Sequence, residues 1–341
     1  MDLAFLTPLC DRPGPWASVY VDASRYRAST DEERTLEALA VQRALACAGA
    51  DEATCHAVRM AVDELRHAPE PVGRAFFATR GEVVLDPALS TAPPGTSVHW
   101  AALPHTAPLL DLAGEDPLCL VVRVDREGAA LELWPDAGDG PRRAERHLPL
   151  WAADSPERSA AEIAEALVRC QAETRADLVV LVGDDAECAA VHERLPAAVR
   201  ERALRARPGA GDERLGAELV RARAAHEAEV FAAARGRGEE AAEGVAALVD
   251  AAHEHRIAQL LIRADGPDAH RSVWVGAEPD QVGVRPDEPA VLGARDAVPA
   301  RADDALLRCA VAAGADAVSV AGADPGAGPA GGLGALLRWG G

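Results

Sequence analysis

Between residues 118 and 134 the chain alternates as a strand pair should. Leu118, Leu120, Val122 and Val124 fall on one face, and Cys119 and Val121, beside Arg123, make the other face apolar too. A strand apolar on both faces is buried on both, which predicts a central strand. Asp125 to Gly128 supply a turn, and Leu131 and Leu133 return on one face of a second strand. From Pro135 to Asp154 no period is visible, and a compact domain that carries so long a structureless loop uses it or leaves it disordered. Ser155, Pro156 and Glu157 then open a helix with a hydroxyl cap, a proline at the first position and an acid at the positive end; Ile163, Ala164, Leu167 and Val168 are its stripe. The apolar run Asp177 to Gly183 predicts a buried, parallel strand, followed by a helix from Ala186 to about Leu195. A long helix, Asp212 to Ala234, carries Leu215, Leu219, Ala222 and Val230.

The flanking segments read the same way. Trp16, Ser18 and Tyr20 alternate with Ala17, Val19 and Val21 as a strand. Two helices follow, one capped near Ser29 to Asp31 with Leu36, Leu39, Ala40 and Arg43 in phase, the other from Asp51 to His67 with Val58, Ala61, Val62 and Leu65. Strands are expected over 73–79, 82–86 and 98–103, with the stretches 104–108 and 114–117 as the link onward. Past Gly236-Arg-Gly238 come a helix through Val245, Leu248, Val249 and Ala252, strands over 257–263 and 272–276, a helix over 303–313 and strands over 317–321 and 333–339. Helices interspersed with strands make the chain α/β.

At 341 residues it is long enough for two or three domains, with 49% hydrophobic and 26% charged residues. No apolar run approaches a membrane span, and Asp2 stands where a secretory leader carries a cation, so a cytoplasmic protein is expected. Seven cysteines without a CxxC pair point to a reducing compartment and small buried hydrophobes. All 35 basic residues are arginine, and neither lysine nor asparagine occurs. Schiff-base and P-loop lysines are therefore excluded. The net charge of −20 is spread evenly, with 9 arginines against 15 acids in 1–113, 16 against 24 in 114–234 and 10 against 16 in 235–341. No segment presents a basic face as a whole, which weighs against nucleic acid covering one. Two local exceptions are the Arg142, Arg143, Arg146 and His147 tip of the loop and the stretch 194–207, with five arginines against one acid; both suit phosphate contacts or a solvated arginine run.

Motifs of catalysis are sparse. Gly326 to Gly331 has GxGxxG spacing but is broken by Pro329 and followed by only ten residues. His253-Glu-His255 lacks the spacing of a helical zinc pair. Asp184 and Asp185, at a strand's carboxyl end, fit either metal chemistry or a helix cap.

Trp16 to Ser24, Pro108 to Leu112, Arg235 to Gly238 read as a helix start, Arg301 to Leu306 and Gly332 to Arg338 resemble, in that order, the actinobacterial and mycobacterial dormancy-associated members of the bacterial archaeo-eukaryotic release factor-like family, which is related to the hibernation factor Balon, to Pelota and to eukaryotic release factor one. The resemblance implies three domains: an N-terminal α/β domain (1–113), a ribonuclease-H-like middle domain (114–235) and an L7Ae/Pelota-like α/β/α C-terminal domain (236–341). It also implies work at the ribosomal A site, with rRNA and elongation factor Tu as partners, and neither a membrane nor a small-molecule cofactor. Release factors of this lineage hydrolyse peptidyl-tRNA with a Gly-Gly-Gln loop where residues 135–154 lie. The four glutamines here, Gln42, Gln171, Gln259 and Gln281, follow Val, Cys, Ala and Asp. The expectation is therefore a non-catalytic A-site or hibernation factor, with Arg142, Arg143, Arg146, His147, Arg200, Arg202, Arg205 and Arg207 on RNA and no catalytic or metal-binding residue. The alternatives are a peptidyl-tRNA hydrolase or nuclease using Asp125, Asp184 and Asp185, and a protein-interaction scaffold that touches no RNA.

Overall fold

A computed structural model of the chain describes residues 3–23, 31–65, 72–113, 119–125, 128–134, 146–149, 156–176, 178–200, 202–206, 212–238, 240–323 and 326–339. The chain divides into two units, Met1–Glu115 joined by Glu227–Gly341, and Asp116–His226. Both are α/β.

The first segment runs α1 (Thr7–Cys10), β1 (Trp16–Asp22), α2 (Asp31–Cys47), α3 (Glu52–Glu64), β2 (Gly73–Thr79), β3 (Glu82–Leu85), β4 (Ala88–Leu89), β5 (Ser97–Ala101) and α4 (Leu109–Leu112). Its sheet is antiparallel in the order β3-β2-β1-β5, with β4 also on β2. The period of two in β1 sorts its side chains between two cores. Ala17, Val19 and Val21 join Phe76 and Ala78 of β2 under Val41 and Leu45 of α2 and Val58 and Val62 of α3. Trp16 and Tyr20 join Phe77 on the opposite face. The stripe of α2 is set by Ala38, Val41 and Leu45, and Leu36, expected inside, is 65% exposed. In a helix this rich in alanine the spacing alone leaves the phase open, and the position of the sheet settles it.

The middle unit runs β6 (Cys119–Asp125), β7 (Gly128–Trp134), β8 (Arg146–Pro149), α5 (Pro156–Thr174), β9 (Leu178–Val182), α6 (Asp185–Arg194), α7 (Ala197–Arg200), β10 (Ala203–Ala206) and the start of α8 (Asp212–Arg237). Its sheet has the order β10-β9-β6-β7-β8. The strand read as central is central: β6 pairs in parallel with β9 and antiparallel with β7. One face, with Leu120, Val122 and Leu131, packs on Ile163 and Leu167 of α5 and Val191 of α6; the other gathers Cys119, Val121, Val180 and Val182. Gly183 ends β9 where a Cβ would stand 2.4 Å from the carbonyl oxygen of Val124, a separation only glycine avoids. The expected structureless stretch contains a strand. Residues 146–149 pair antiparallel with β7, Arg146 opposite Leu131 and Leu148 opposite Ala129. Its sequence, Arg-His-Leu-Pro, gives a period of two almost nothing to act on, and it is an edge, where proline is tolerated.

The last segment contains β11 (Ala241–Glu243), α9 (Val245–His253), β12 (Ile257–Ile262), β13 (Ser272–Val275), β14 (Val282–Gly283), α10 (Glu288–Val291), β15 (Val298–Arg301), α11 (Ala302–Ala312), β16 (Asp316–Ser319) and β17 (Leu333–Leu337). Two sheets form, β11-β17-β12-β16 and β14-β13-β15, with β12 parallel to β16 and antiparallel to β17. Leu248, Leu260, Leu306 and Leu333 of this segment share one hydrophobic core with Trp16, Tyr20 and Phe77. The Gly236-Arg-Gly238 string, which reads as the ending of the long helix and, within the resemblance, as a helix start, closes α8: Gly238 takes φ +80° and its N–H returns to the carbonyls of Ala234 and Arg235. Val230 of α8, expected on the buried stripe, is 39% exposed, and Ala228, Phe231 and Ala234 are inside. Residues 326–331 lead into β17 and open no helix.

Candidate functional site

The most elaborate polar cluster is built where the connection after β5 meets the start of α11. Residues 104–108, expected as a link between domains, are instead packed inside, with His105 and Thr106 buried. The N–H of His105 donates to Ser18 Oγ at 2.9 Å and its carbonyl accepts from the Tyr20 hydroxyl at 2.6 Å, so two inward residues of β1 fix this backbone. At the other side, α11 begins with Asp303 and Asp304, acids that favour a helix N-terminus. These two are 0% and 4% exposed. A buried carboxylate is costly unless its lone pairs are filled, and both are.

Asp304 Oδ1 accepts from Thr106 N–H at 2.9 Å and Ala107 N–H at 3.4 Å, while His105 Nδ1 lies 2.9 Å from Oδ2. Against a carboxylate that Nδ1 carries the proton. Asp303 is gripped by Arg301 through Nε at 3.0 Å and a second guanidinium nitrogen, and its Oδ1 also accepts the N–H of Asp304 at 2.9 Å. Burial, and then the neighbouring Asp304 charge, push the Asp303 carboxyl above 3.8 against the pull of Arg301. The Tyr20 phenol is held well above 10 by burial and by the two carboxylates. His99 of β5 lies against the His105 ring, centroids 4.5 Å apart, and is pulled below 6.5 by burial and then by His105.

Among the described residues, His105, Asp303 and Asp304 are the one group of His, Cys, Asp or Glu with atoms close enough to share an ion. Their donors and acceptors already face Arg301, the backbone and each other, which is the chemistry of a clamp. Residues 199 positions apart form it, so sequence spacing gave no sign of it. The available cue was an Arg-x-Asp-Asp string at a helix start, with two acids where one suffices for capping.

The residues expected on RNA are distributed differently. Arg142, Arg143 and Arg207 lie outside the described residues, and Arg146 and His147 are known by their backbone, on edge strand β8. Arg200, Arg202 and Arg205 are exposed at the end of α7, in the turn after it and on edge strand β10. Asp184 caps α6, accepting the N–H of Ala186 at 3.3 Å, and Asp185 occupies the first turn.

Two outcomes follow. Replacing Asp304 with alanine strands the Thr106 amide and the His105 ring in the interior and should cost about 3–5 kcal/mol in urea unfolding. Because the fold depresses the His99 pKa, the unfolded chain binds a proton that the folded chain refuses, so stability falls as pH drops below 6.5. Denaturant curves at pH 7.5 and 5.5 should therefore show a larger loss for the wild type than for His99→Gln.

Residues 139–248 match the model of Bacterial archaeo-eukaryotic release factor family 2. The Mycobacterium tuberculosis H37Rv protein Rv2629 is 29% identical over 356 residues, spanning 96% of this chain and 94% of its own, and the CDC 1551 strain protein MT2704 matches equally. Among solved structures, Archaeoglobus fulgidus Pelota is similar at 14% identity and a TM-score of 0.34, over 78% of this chain and 79% of its own. The archaeal translation termination factor aRF1 is similar at 16% and 0.25, over 98% and 96%. S. cerevisiae Dom34 is similar at 11% and 0.32, over 78% and 73%. Over residues 139–248 the chain is thus similar to the bacterial archaeo-eukaryotic release factors of family 2.

Proposed function

We propose that this chain is a cytoplasmic, ribosome-associated factor that enters the A site, in a hibernating or regulated state of translation, without cutting peptidyl-tRNA. The observation that carries the reading is the family match over residues 139–248, which covers the stretch bearing the exposed arginines. Among the described residues no helix is long and apolar enough to cross a membrane, consistent with this setting. The three segments 1–113, 114–235 and 236–341 act as N-terminal, ribonuclease-H-like and L7Ae/Pelota-like parts in this reading, with elongation factor Tu as the delivering partner.

The chemistry argues for occupancy over cleavage. A release factor of this lineage places a glutamine amide, carried by Gly-Gly-Gln, at the ester, and no glutamine here follows a glycine. What the middle unit offers RNA is charge. Arg200, Arg202 and Arg205 stand in solvent on successive elements, with planar donors suited to phosphate. Each such contact releases counterions from the RNA, so binding should fall with salt, while the net charge of −20 holds the affinity down at low salt.

Purified protein should co-sediment with ribosomes at low salt and lose most of that binding between about 50 and 200 mM salt. Changing Arg200, Arg202 and Arg205 together to glutamine should weaken it about tenfold or more and flatten the salt dependence. Absence of co-sedimentation at low salt would remove the ribosomal reading. Turnover of peptidyl-tRNA by the purified protein would replace occupancy with hydrolysis.

A further inference from the structure

A groove of 670 Å³ opens in the unit formed by the first and last segments, beside the helix that carries the buried acids. That volume falls in the range of sites that enclose small organic ligands, roughly 300–1,000 Å³. Leu9, Trp16, Trp100, Leu103, Val275 and Val298 supply an apolar and aromatic lining. Gly14 contributes to the wall where a Cβ would stand 2.3 Å from the Ala102 carbonyl oxygen, so its backbone passes close against the strand end.

The polar groups in this lining are unequal. Arg12, at the rim, is paired with Glu82 at 2.7 Å, and Asp296 is exposed to solvent. Arg308, from the middle of α11, is different. Its terminal nitrogens donate to the carbonyls of Gly276 at 3.1 Å and Ala277 at 2.7 Å, neutral partners that orient the guanidinium without cancelling its charge. Its Nε is buried without a hydrogen-bond partner, and no carboxylate pairs with Arg308 among the described residues. Cys10, also in the lining, is pushed up to about 11 by burial and stays a neutral thiol at pH 7, so it supplies no counter-charge. Burial lowers the Arg308 pKa, and Glu278 and Asp280 act on its charge without pairing with it, so the guanidinium in this apolar wall lacks a direct counter-ion and gains from a ligand that brings one.

We propose that this groove binds a small amphipathic organic anion, its ring against Trp100 and the neighbouring aliphatic side chains and its acidic group at Arg308. An aromatic carboxylate is the simplest member of that class. The apolar body gains from leaving water, and the acidic group gains a charge-assisted contact in a site screened from solvent. Nothing in this inference depends on ribosome binding.

The test uses the full-length protein and a matched pair of probes, 2-naphthoate and the uncharged 2-naphthamide, titrated by calorimetry. The expected result is saturable 1:1 binding of naphthoate, about tenfold or more tighter than the amide. Trp100→Leu should weaken both probes, and Arg308→Gln should abolish the difference between them. No saturable naphthoate binding, equal affinity of the two probes for the wild type, or a difference that survives in Arg308→Gln would each overturn the proposal. The wild-type comparison decides the charge requirement even if Arg308→Gln fails to fold.

Discussion

The carboxylate of Asp304 is the group on which the arrangement of the first and last thirds of the chain turns. It lies 4% exposed inside a shared hydrophobic core, where an ionised group survives only if every acceptor site is answered. The answer comes from the backbone of Thr106 and Ala107 and the ring of His105, nearly two hundred residues earlier. Any displacement of one segment against the other would expose that carboxylate to an unmet desolvation cost. The hydrophobic core supplies most of the stabilisation, and the clamp chooses which of many apolar packings is adopted.

β1 explains why the two segments need each other. Its outer strand residues belong to a local core under α2 and α3, while Trp16 and Tyr20 find their core only when α9, α11 and β12 are present. The Tyr20 ring meets Phe77 edge-on at 6.0 Å and its hydroxyl reaches the His105 carbonyl, so one side chain serves the core and the clamp together. The middle unit is self-contained in contrast, with β6 buried on both faces within its own sheet.

Much of this was legible in the sequence, and the exceptions have physical causes. β6, β9, β1 and the stripe of α9 were readable because branched and aliphatic residues repeat at a clear period. The phase of α2 was misread because alanine is compatible with either face, and β8 was missed because one leucine in four residues defines no period. The stretch around His105 looked like a linker because prolines flank it, yet Ser18, Tyr20 and Asp304 hold its backbone inside. Acids at the start of α11 were indistinguishable from ordinary capping residues, since burial is decided by partners distant in the chain. The exposed arginines of the middle unit were visible as composition; which of them stand in solvent was not.

The likeness to the release factor family lies in the middle of the chain, and the structure adds one compact unit made from its two ends. That the two ends unfold as one body is the central claim, and native-state hydrogen exchange measures it directly. Amides of β1 and β2 should open with the same free energy, and the same denaturant dependence, as those of β12 and β17. Separate opening energies for the two sets, with one segment exchanging while the other stays protected, would contradict it.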